Sequence, residues 1–319
     1  MEAISRLRWV AVTAIAPVAW GSTYVVTRAV LPPEPLWGAV LRALPAGLLL
    51  LLVARRRPRG AWWWRSAVLG VLNTGGFFAL VYAVAQLLPS GVAATLMAAA
   101  PLAMTAFAWL LLGQRPRLLA LLGGVAGVGG VAVMLLGGRV AADPLGVAAA
   151  VLAMLLSSLG YVLATRWASG IDVVASTAWQ LVAGGLIVLP VALVVEGAPP
   201  ALDVPAVLGF AYVTVVATAL AFLAWFAGLR RLGPATAGLV GLLNPVTGVL
   251  LGAVVAGEAL TGRQLLGLAI VLAAVALGQL GAGRRAGAAG QSASASRKPR
   301  VGAKNVVPVT AVEKSSIRS

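Results

Sequence analysis

The sequence predicts an all-α integral membrane protein whose ten transmembrane helices form two inverted repeats of five helices each. Three observations support this fold class: an apolar composition, ten apolar segments of membrane-spanning length and an internal repetition. Hydrophobic residues make up 61% of the 319-residue chain and charged residues 10%, with a mean hydropathy of +1.00. Soluble proteins carry roughly 25% charged residues, so this chain has too few charges to cover soluble domains.

The apolar segments emerge when the chain is divided at charge clusters and at Pro or Gly breaks. Each is about 20 residues long, the length at which a helix crosses the hydrocarbon core of a bilayer. The ten segments run over residues 9–29, 36–54, 66–86, 90–112, 118–137, 144–165, 172–195, 204–229, 235–256 and 262–281. Asp143 before Pro144 predicts a helix N-cap, and Thr261 with Gln264 predicts a capping box.

The repetition predicts how these helices are organised. Four pairs of residues lie 144 positions apart: Pro101 and Pro245, Gly113 and Gly257, Gly123 and Gly267, and Gly137 and Gly281. We therefore expect a first repeat over residues 1–137 and a second over residues 144–281. Because five is an odd number of helices, the second repeat must be inverted relative to the first, an arrangement typical of secondary transporters.

The distribution of arginine predicts the orientation. With the N-terminus inside, the inner loops receive fourteen arginines near the helix ends, and the outer loops receive Arg28, Arg139 and Arg263. By the positive-inside rule, both termini are cytoplasmic and the chain lies in the lipid bilayer of the cell (plasma or inner) membrane. We interpret the basic leader 1–8 as the start of a retained first helix. Residues 282–319, rich in Gly, Ala, Ser and basic residues, predict a disordered cytoplasmic tail.

The composition excludes several classes of chemistry. The net charge of +16 comes from loop and tail cations without any groove-reading motif, so no nucleic-acid partner is predicted. The chain has no cysteine and no histidine, and we predict neither a metal site nor a cofactor. The alternative function is an intramembrane enzyme acting on lipid-linked substrates. The eight acidic residues are scattered singly, which disfavours that alternative, and no catalytic residue is predicted.

Short runs of residues on these segments resemble a known family. They lie in order on the first, second and ninth segments: Trp20-Gly21-Ser22-Thr23-Tyr24, Thr27-Arg28, Leu41-Arg42, Leu243-Asn244-Pro245-Val246 and Gly257-Glu258. Together they resemble the EamA family of the drug/metabolite transporter superfamily, over roughly residues 10–281. The resemblance implies a secondary transporter of small organic solutes, which are amino acids, related metabolites or toxic compounds. It also implies export or facilitated diffusion by alternating access.

The two halves differ at their charged positions. Gly257-Glu258 in the second half corresponds to Gly113-Gln114 in the first. Arg42 corresponds to Gln180 at an offset of 138 residues, which also relates Gly47 to Gly185. The charge pattern is therefore not twofold symmetric. No carboxylate falls in the middle of a predicted span, which weakens proton antiport and leaves facilitated diffusion open.

The predicted solute site lies near the midplane between the repeats, where polar side chains face a cavity or another helix. Ten candidates for substrate contact form short stripes on the helices: Trp20, Thr23, Tyr24, Asn73, Thr74, Ser157, Tyr161, Thr218, Trp225 and Asn244. For each, the alternative is a structural role in helix packing or at the membrane interface. Arg42 contacts an anionic group in the pathway, extends to the membrane surface or packs between helices. Pro101 and Pro245 are predicted flex points for gating.

Overall fold

The structure is a computed structural model and describes residues 2–88, 96–135, 143–256 and 260–277. Regular secondary structure in these residues is helical, and they contain no strand. The α-helices are α1 (Glu2–Val30), α2 (Pro35–Ala54), α3 (Trp62–Gly70), α4 (Gly76–Leu87), α5 (Ala100–Leu112), α6 (Leu118–Leu135), α7 (Pro144–Arg166), α8 (Val173–Val195), α9 (Val204–Thr214), α10 (Ala221–Leu232), α11 (Pro234–Gly241), α12 (Leu243–Ala256) and α13 (Gly262–Leu277).

Several of these helical stretches match the predicted spans. Six of the described stretches are long and apolar enough to cross a membrane: Pro35–Ala54, Trp62–Val81, Pro144–Arg166, Val173–Val195, Val204–Leu232 and Pro234–Leu251. Three shorter apolar helices accompany them: Ala100–Leu112, Leu118–Met134 and Gly262–Leu277. Large apolar side chains are exposed on their outer faces, as on Val194 with 85% of its surface exposed, which suits contact with lipid. The total of ten spans stays a prediction.

Acidic side chains mark where several helices begin. The carboxylate accepts backbone N–H bonds from the first turn at three N-caps: Asp143 of α7, Asp172 of α8 and Asp203 of α9. Glu196, in the loop after α8, accepts from the N–H groups of Leu36 and Trp37 at 2.9 Å each and so caps α2. Carboxylates are stabilised at these positions by unpaired N–H groups and the helix dipole.

The predicted capping box also forms. The N–H of Thr261 donates to Oε1 of Gln264 at 2.8 Å, and the N–H of Gln264 donates to Oγ1 of Thr261 at 3.3 Å. This pair opens α13, where the sequence placed the tenth span. The predictions for Asp143 and for Thr261 with Gln264 are both confirmed.

Two kinds of interruption recur 144 residues apart. A first π-helical segment (Val71–Gly75) joins α3 to α4, and a second (Val215–Leu220) joins α9 to α10, so their first residues differ by 144. Turns at Ala98 and Leu242, again 144 apart, interrupt the chain shortly before α5 and α12. Such breaks in α-helical geometry are common at functional hinges.

The two prolines predicted to be flex points lie directly after these turns. Pro101 lies in the first turn of α5 and Pro245 in the first turn of α12, where a missing backbone N–H is tolerated. Each proline therefore follows a break in the helix instead of kinking the middle of a continuous one.

Close packing between α2 and α8 joins the two halves of the chain. A Cβ added to Gly47 would lie 2.7 Å from the backbone N of Val182, so these helices approach through glycine. Gly185 of α8, the counterpart of Gly47, packs in the same way against Leu44. Around this contact, α1 packs against α10 and α12, while α7 packs against α4 and α5. The arrangement leaves a cavity between elements of both halves.

Candidate functional site

A cavity of about 420 Å³ is lined by side chains from both halves of the chain. Pockets that hold small organic molecules span roughly 300–1,000 Å³, so the cavity has the size of such a site. The lining residues are Trp20, Thr23, Thr27, Arg42, Phe77, Phe78, Val81, Val84, Met97, Ala98, Ala100, Pro101, Met104, Ser157, Tyr161, Phe222, Trp225, Gly238, Gly241, Leu242, Asn244 and Pro245.

Six of the ten predicted substrate contacts line this cavity: Trp20, Thr23, Ser157, Tyr161, Trp225 and Asn244. The predicted flex points Pro101 and Pro245 line it as well, as does Arg42. Tyr24 belongs to α1, but its side chain lies outside the described residues, and so does Glu258 with its neighbour Gly257.

The remaining three candidates, Asn73, Thr74 and Thr218, are fully buried between helices and are not among the lining residues. Nδ2 of Asn73 donates to Oε1 of Gln180 at 2.8 Å, and Oγ1 of Thr74 donates to the carbonyl of Gln180 at 3.3 Å. Oγ1 of Thr218 accepts a hydrogen bond of 3.1 Å from Nε of Arg42. Each of the three therefore forms a contact between the two halves of the chain.

An aromatic cluster forms one end of the cavity and consists of Trp20, Tyr161, Phe222, Trp225 and Phe226. Ring centroids lie 5.3 Å apart for Trp20 with Phe222, for Trp20 with Trp225 and for Tyr161 with Trp225, in tilted or edge-to-face geometry. Phe226 also borders a second cavity of only about 10 Å³, together with Thr165 and Arg230. The aromatic cluster thus has four members in the lining of the large cavity and one, Phe226, in the lining of the small cavity.

Trp225 combines deep burial with an unused donor. Its side chain is 2% exposed and lines the cavity, and its indole Nε1 is buried without a hydrogen-bond partner among the described residues. A buried donor without a partner raises the free energy of the protein by about 1–3 kcal/mol. Such groups occur where a bound molecule supplies the partner.

The guanidinium of Arg42 faces the protein interior, and the residue is 7% exposed. Besides its bond to Thr218, Nη2 donates to the carbonyl of Ala217 at 3.5 Å, and Cζ lies 4.3 Å from the ring centroid of Phe78. These contacts support the alternative in which Arg42 packs between helices. Extension to the membrane surface would require it to leave them.

Acidic side chains are placed away from the cavity. No carboxylate is among its lining residues in the described part of the chain. Asp143, Asp172, Asp203 and Glu196 instead cap helices, and Glu34 stands just before α2 without a side-chain cap bond. The described ranges also contain no group of three or more His, Cys, Asp or Glu side chains positioned to hold a metal ion.

Several lining residues escaped the sequence analysis. Phe77, Phe78 and Phe222 are apolar residues on apolar helices, so neither polarity nor charge distinguishes them. The spacing of Phe222, Trp225 and Phe226 at i, i+3 and i+4 would have indicated one aromatic face on α10. Thr27, one turn beyond Thr23 on α1, extends the predicted stripe and could have been included.

Comparisons with known proteins agree with this architecture. A profile of the EamA-like transporter family matches residues 7–136 and 144–278. Protein PecM of Dickeya dadantii (strain 3937) is 36% identical over 267 residues, covering 83% of this chain and 90% of PecM. The uncharacterized inner membrane transporter YedA of Escherichia coli (strain K12) is 31% identical, covering 83% of this chain and 88% of YedA.

A solved crystal structure shows the same fold. It superposes with a TM-score of 0.73 at 21% sequence identity and covers 87% of this chain and 98% of its own. Together with the inner membrane relative and the apolar helices, the family match identifies a multi-pass plasma-membrane transporter. The predicted resemblance is therefore confirmed: the chain belongs to the EamA-like transporter family of the drug/metabolite transporter superfamily.

Proposed function

We propose that this transporter moves small organic solutes across the plasma membrane by alternating access, as an exporter or a facilitator. Its solutes would be amino acids, related metabolites or toxic compounds. The observation that carries the proposal is the 420 Å³ cavity, which both halves of the chain line and which contains Pro101 and Pro245 beside two helix breaks. Alternating access requires a site of this kind between two units that can rock against each other.

The proposed architecture is ten helices in two inverted repeats, residues 1–137 and 144–281, with the tail 282–319 following. The two ranges matched by the family profile, 7–136 and 144–278, support this division. So do the π-helical segments and helix breaks that recur at an offset of 144 residues. The arginine distribution supports cytoplasmic termini.

In the proposed site, the cavity lining supplies both polar and aromatic contacts. Thr23, Ser157 and Asn244 offer hydroxyl and amide groups, and Trp20 and Trp225 offer aromatic surface. Arg42 provides a positive charge that an anionic group of the solute would approach. The polar groups would fix the orientation of the solute, and the aromatic surface would contribute most of the buried area.

We further propose that transport does not depend on a proton-binding carboxylate in the cavity. Four of the five acids with described side chains cap helices, where neutralisation would remove a cap instead of opening a pathway. The fifth, Glu34, stands just before α2 without a side-chain cap bond and does not line the cavity. The lining of the cavity supplies hydroxyl, amide, indole and guanidinium groups in place of acids. Facilitated diffusion fits this distribution of charge better than proton antiport.

The decisive experiment is counterflow of labelled amino acids and metabolites in proteoliposomes, with and without an imposed pH gradient. We expect exchange of at least one solute and no accumulation driven by the gradient. Ser157→Trp, which fills the cavity, should abolish exchange, whereas Gly129→Ala should preserve it because a Cβ there meets no atom within 4 Å. Exchange that survives Ser157→Trp would contradict the proposed pathway, and gradient-driven accumulation would contradict facilitated diffusion.

A further inference from the structure

The two halves of the chain meet in the same way at two places. In one, Gln180 of α8 contacts the first π-helical segment (Val71–Gly75) through Asn73 and Thr74. In the other, Arg42 of α2 contacts the second π-helical segment (Val215–Leu220) through Thr218 and Ala217. Arg42 and Gln180 are 138 residues apart and Thr74 and Thr218 are 144 apart, so the partners correspond. We call these the Gln180 joint and the Arg42 joint.

The Gln180 joint is closed by backbone contact. A Cβ on Gly70 would lie 2.6 Å from the N of Gly184, and one on Gly75 would lie 2.9 Å from the O of Gly184. Gln180 is 1% exposed and, with Asn73 and Thr74, is absent from the lining of the large cavity. Glycine contacts of this kind bring two backbones together and leave little freedom to slide.

The Arg42 joint is closed by side chains instead. Thr214, Ala219 and Ala46 stand at the positions corresponding to Gly70, Gly75 and Gly184, so every glycine of the first joint is replaced by a residue with a Cβ. Its polar contacts include the bonds of Arg42 to Thr218 and Ala217, of 3.1 and 3.5 Å, and a bond of 3.3 Å from Oγ1 of Thr214 to the carbonyl of Leu41. Consistent with this, α8 packs more extensively on the first π-helical segment than α2 does on the second.

The two joints also differ in their access to solute. Arg42 lines the large cavity, and the same guanidinium that enters the joint is therefore within reach of a molecule in the cavity. The guanidinium is planar and moves as one unit, so an acceptor group that draws it toward the cavity lengthens its bonds to Thr218 and Ala217. Gln180 does not line the large cavity and borders only the small cavity of about 10 Å³, which has no room for an organic solute, so a bound solute has no corresponding contact at the Gln180 joint.

We propose that Arg42 is the positioning residue through which an occupied cavity acts on the second π-helical segment, while the Gln180 joint stays closed throughout transport. This inference rests on the proposed alternating access and adds that one joint opens and the other serves as a fixed pivot. A ligand shifts such an equilibrium only through contacts that differ between the two states, and the Arg42 joint supplies that difference.

Two matched substitutions test the inference: Thr218→Val removes the hydroxyl from the Arg42 joint, and Thr74→Val removes its counterpart from the Gln180 joint. Both threonines are fully buried, and the replacement keeps the side-chain shape. Because the chain has no cysteine, single reporters can be introduced without removing native thiols. Val81→Cys reports on the large cavity, and Thr165→Cys reports on the small cavity that Phe226 borders. The measurements are labelling rates with a small hydrophilic thiol reagent and the thermal unfolding temperature of each variant.

We expect Thr218→Val to change the ratio of the two labelling rates by about tenfold, since it removes a hydrogen bond to a charged group in only one state. Thr74→Val should lower the unfolding temperature and leave the ratio within about twofold of the unsubstituted protein. An equal shift of the ratio in both variants, or no shift in Thr218→Val, overturns the inference. Arg42→Gln, which gives both joints the same side chain, should shift the ratio in the same direction as Thr218→Val.

The labelling needs no knowledge of the solute, so its result is separable from the counterflow experiment. If neither reporter changes its labelling rate in any variant, the asymmetric joints are wrong even where counterflow proceeds. If counterflow fails for every solute while Thr218→Val shifts the ratio as expected, the proposed solutes are wrong and the Arg42 joint is supported.

Discussion

The indole Nε1 of Trp20 donates a hydrogen bond of 3.1 Å to the carbonyl oxygen of Ala217, which joins α1 to the second π-helical segment. Nη2 of Arg42 approaches the same oxygen at 3.5 Å. Two side chains that line the cavity, from two different helices of the first half, therefore converge on one carbonyl of the second half. The carbonyl oxygen of Ala217 therefore connects the backbone of that π-helical segment to two residues of the cavity wall.

Replacing Trp20 separates its hydrogen bond from its ring. Trp20→Phe keeps an aromatic ring and should lower the free energy of unfolding by about 1 kcal/mol. Trp20→Ala also removes the ring that packs on Phe222 and Trp225, and should lower it by about 3–5 kcal/mol. Thermal unfolding in detergent measures both. Trp63→Phe is the control because Trp63 is 64% exposed, and a comparable loss there would show that the Trp20 contact contributes nothing specific.

Gly184 tests the backbone contact between α8 and the first π-helical segment. A Cβ at this position would overlap Oγ1 of Thr74 and lie 2.8 Å from the carbonyl of Gly70, a contact that backbone movement alone relieves. We expect Gly184→Ala to lower the free energy of unfolding by about 1–3 kcal/mol. Gly129→Ala, a helical site with open space around it, should be neutral or stabilising by up to about 1 kcal/mol. Equal stability of the two variants would contradict the close approach.

Sequence reasoning reached the family, the helical character and most of the polar residues in the cavity wall. It succeeded where a polar residue stands out on an apolar helix, as for Thr23 and Asn244. It could not separate residues that face the cavity from residues that join helices, because Thr74 and Ser157 look alike in a linear pattern. The direction in which each side chain points depends on how a π-helical segment rotates its residues relative to the neighbouring helix, and a linear sequence pattern does not contain that rotation.

The unpartnered donor of Trp225 gives opposite expectations for stability and transport. Trp225→Phe removes a buried N–H without a partner, which should raise the free energy of unfolding by about 1–3 kcal/mol. The smaller ring also leaves a space behind, which should lower the free energy of unfolding by about 1 kcal/mol. We expect unchanged or higher stability together with slower counterflow, because a solute would lose its donor. Stability is read from thermal unfolding and transport from initial rates. A clear fall in stability would show that Nε1 already has a partner.

The prolines after the helix breaks should influence the speed of the transport cycle. Pro245→Ala and Pro101→Ala restore a backbone N–H in the first turns of α12 and α5, which allows the helices to become continuous across Leu242 and Ala98. We expect counterflow to slow by roughly fivefold to tenfold with little change in apparent affinity. Pro144→Ala, at the start of α7 and away from the cavity, should have no such effect. Unchanged rates in both variants would remove the gating role.

Glu196 distinguishes a structural carboxylate from a proton carrier. Its two oxygens accept the N–H groups of Leu36 and Trp37, so Glu196→Ala leaves two donors at the start of α2 without that cap. We expect this variant to lose about 1–3 kcal/mol of stability, and Glu196→Gln to lose less because one acceptor oxygen remains. Counterflow by Glu196→Gln should respond to an imposed pH gradient as the unsubstituted protein does. If the substitution instead abolished a response to the gradient with stability intact, Glu196 would be part of a proton pathway and its role as a cap would be secondary.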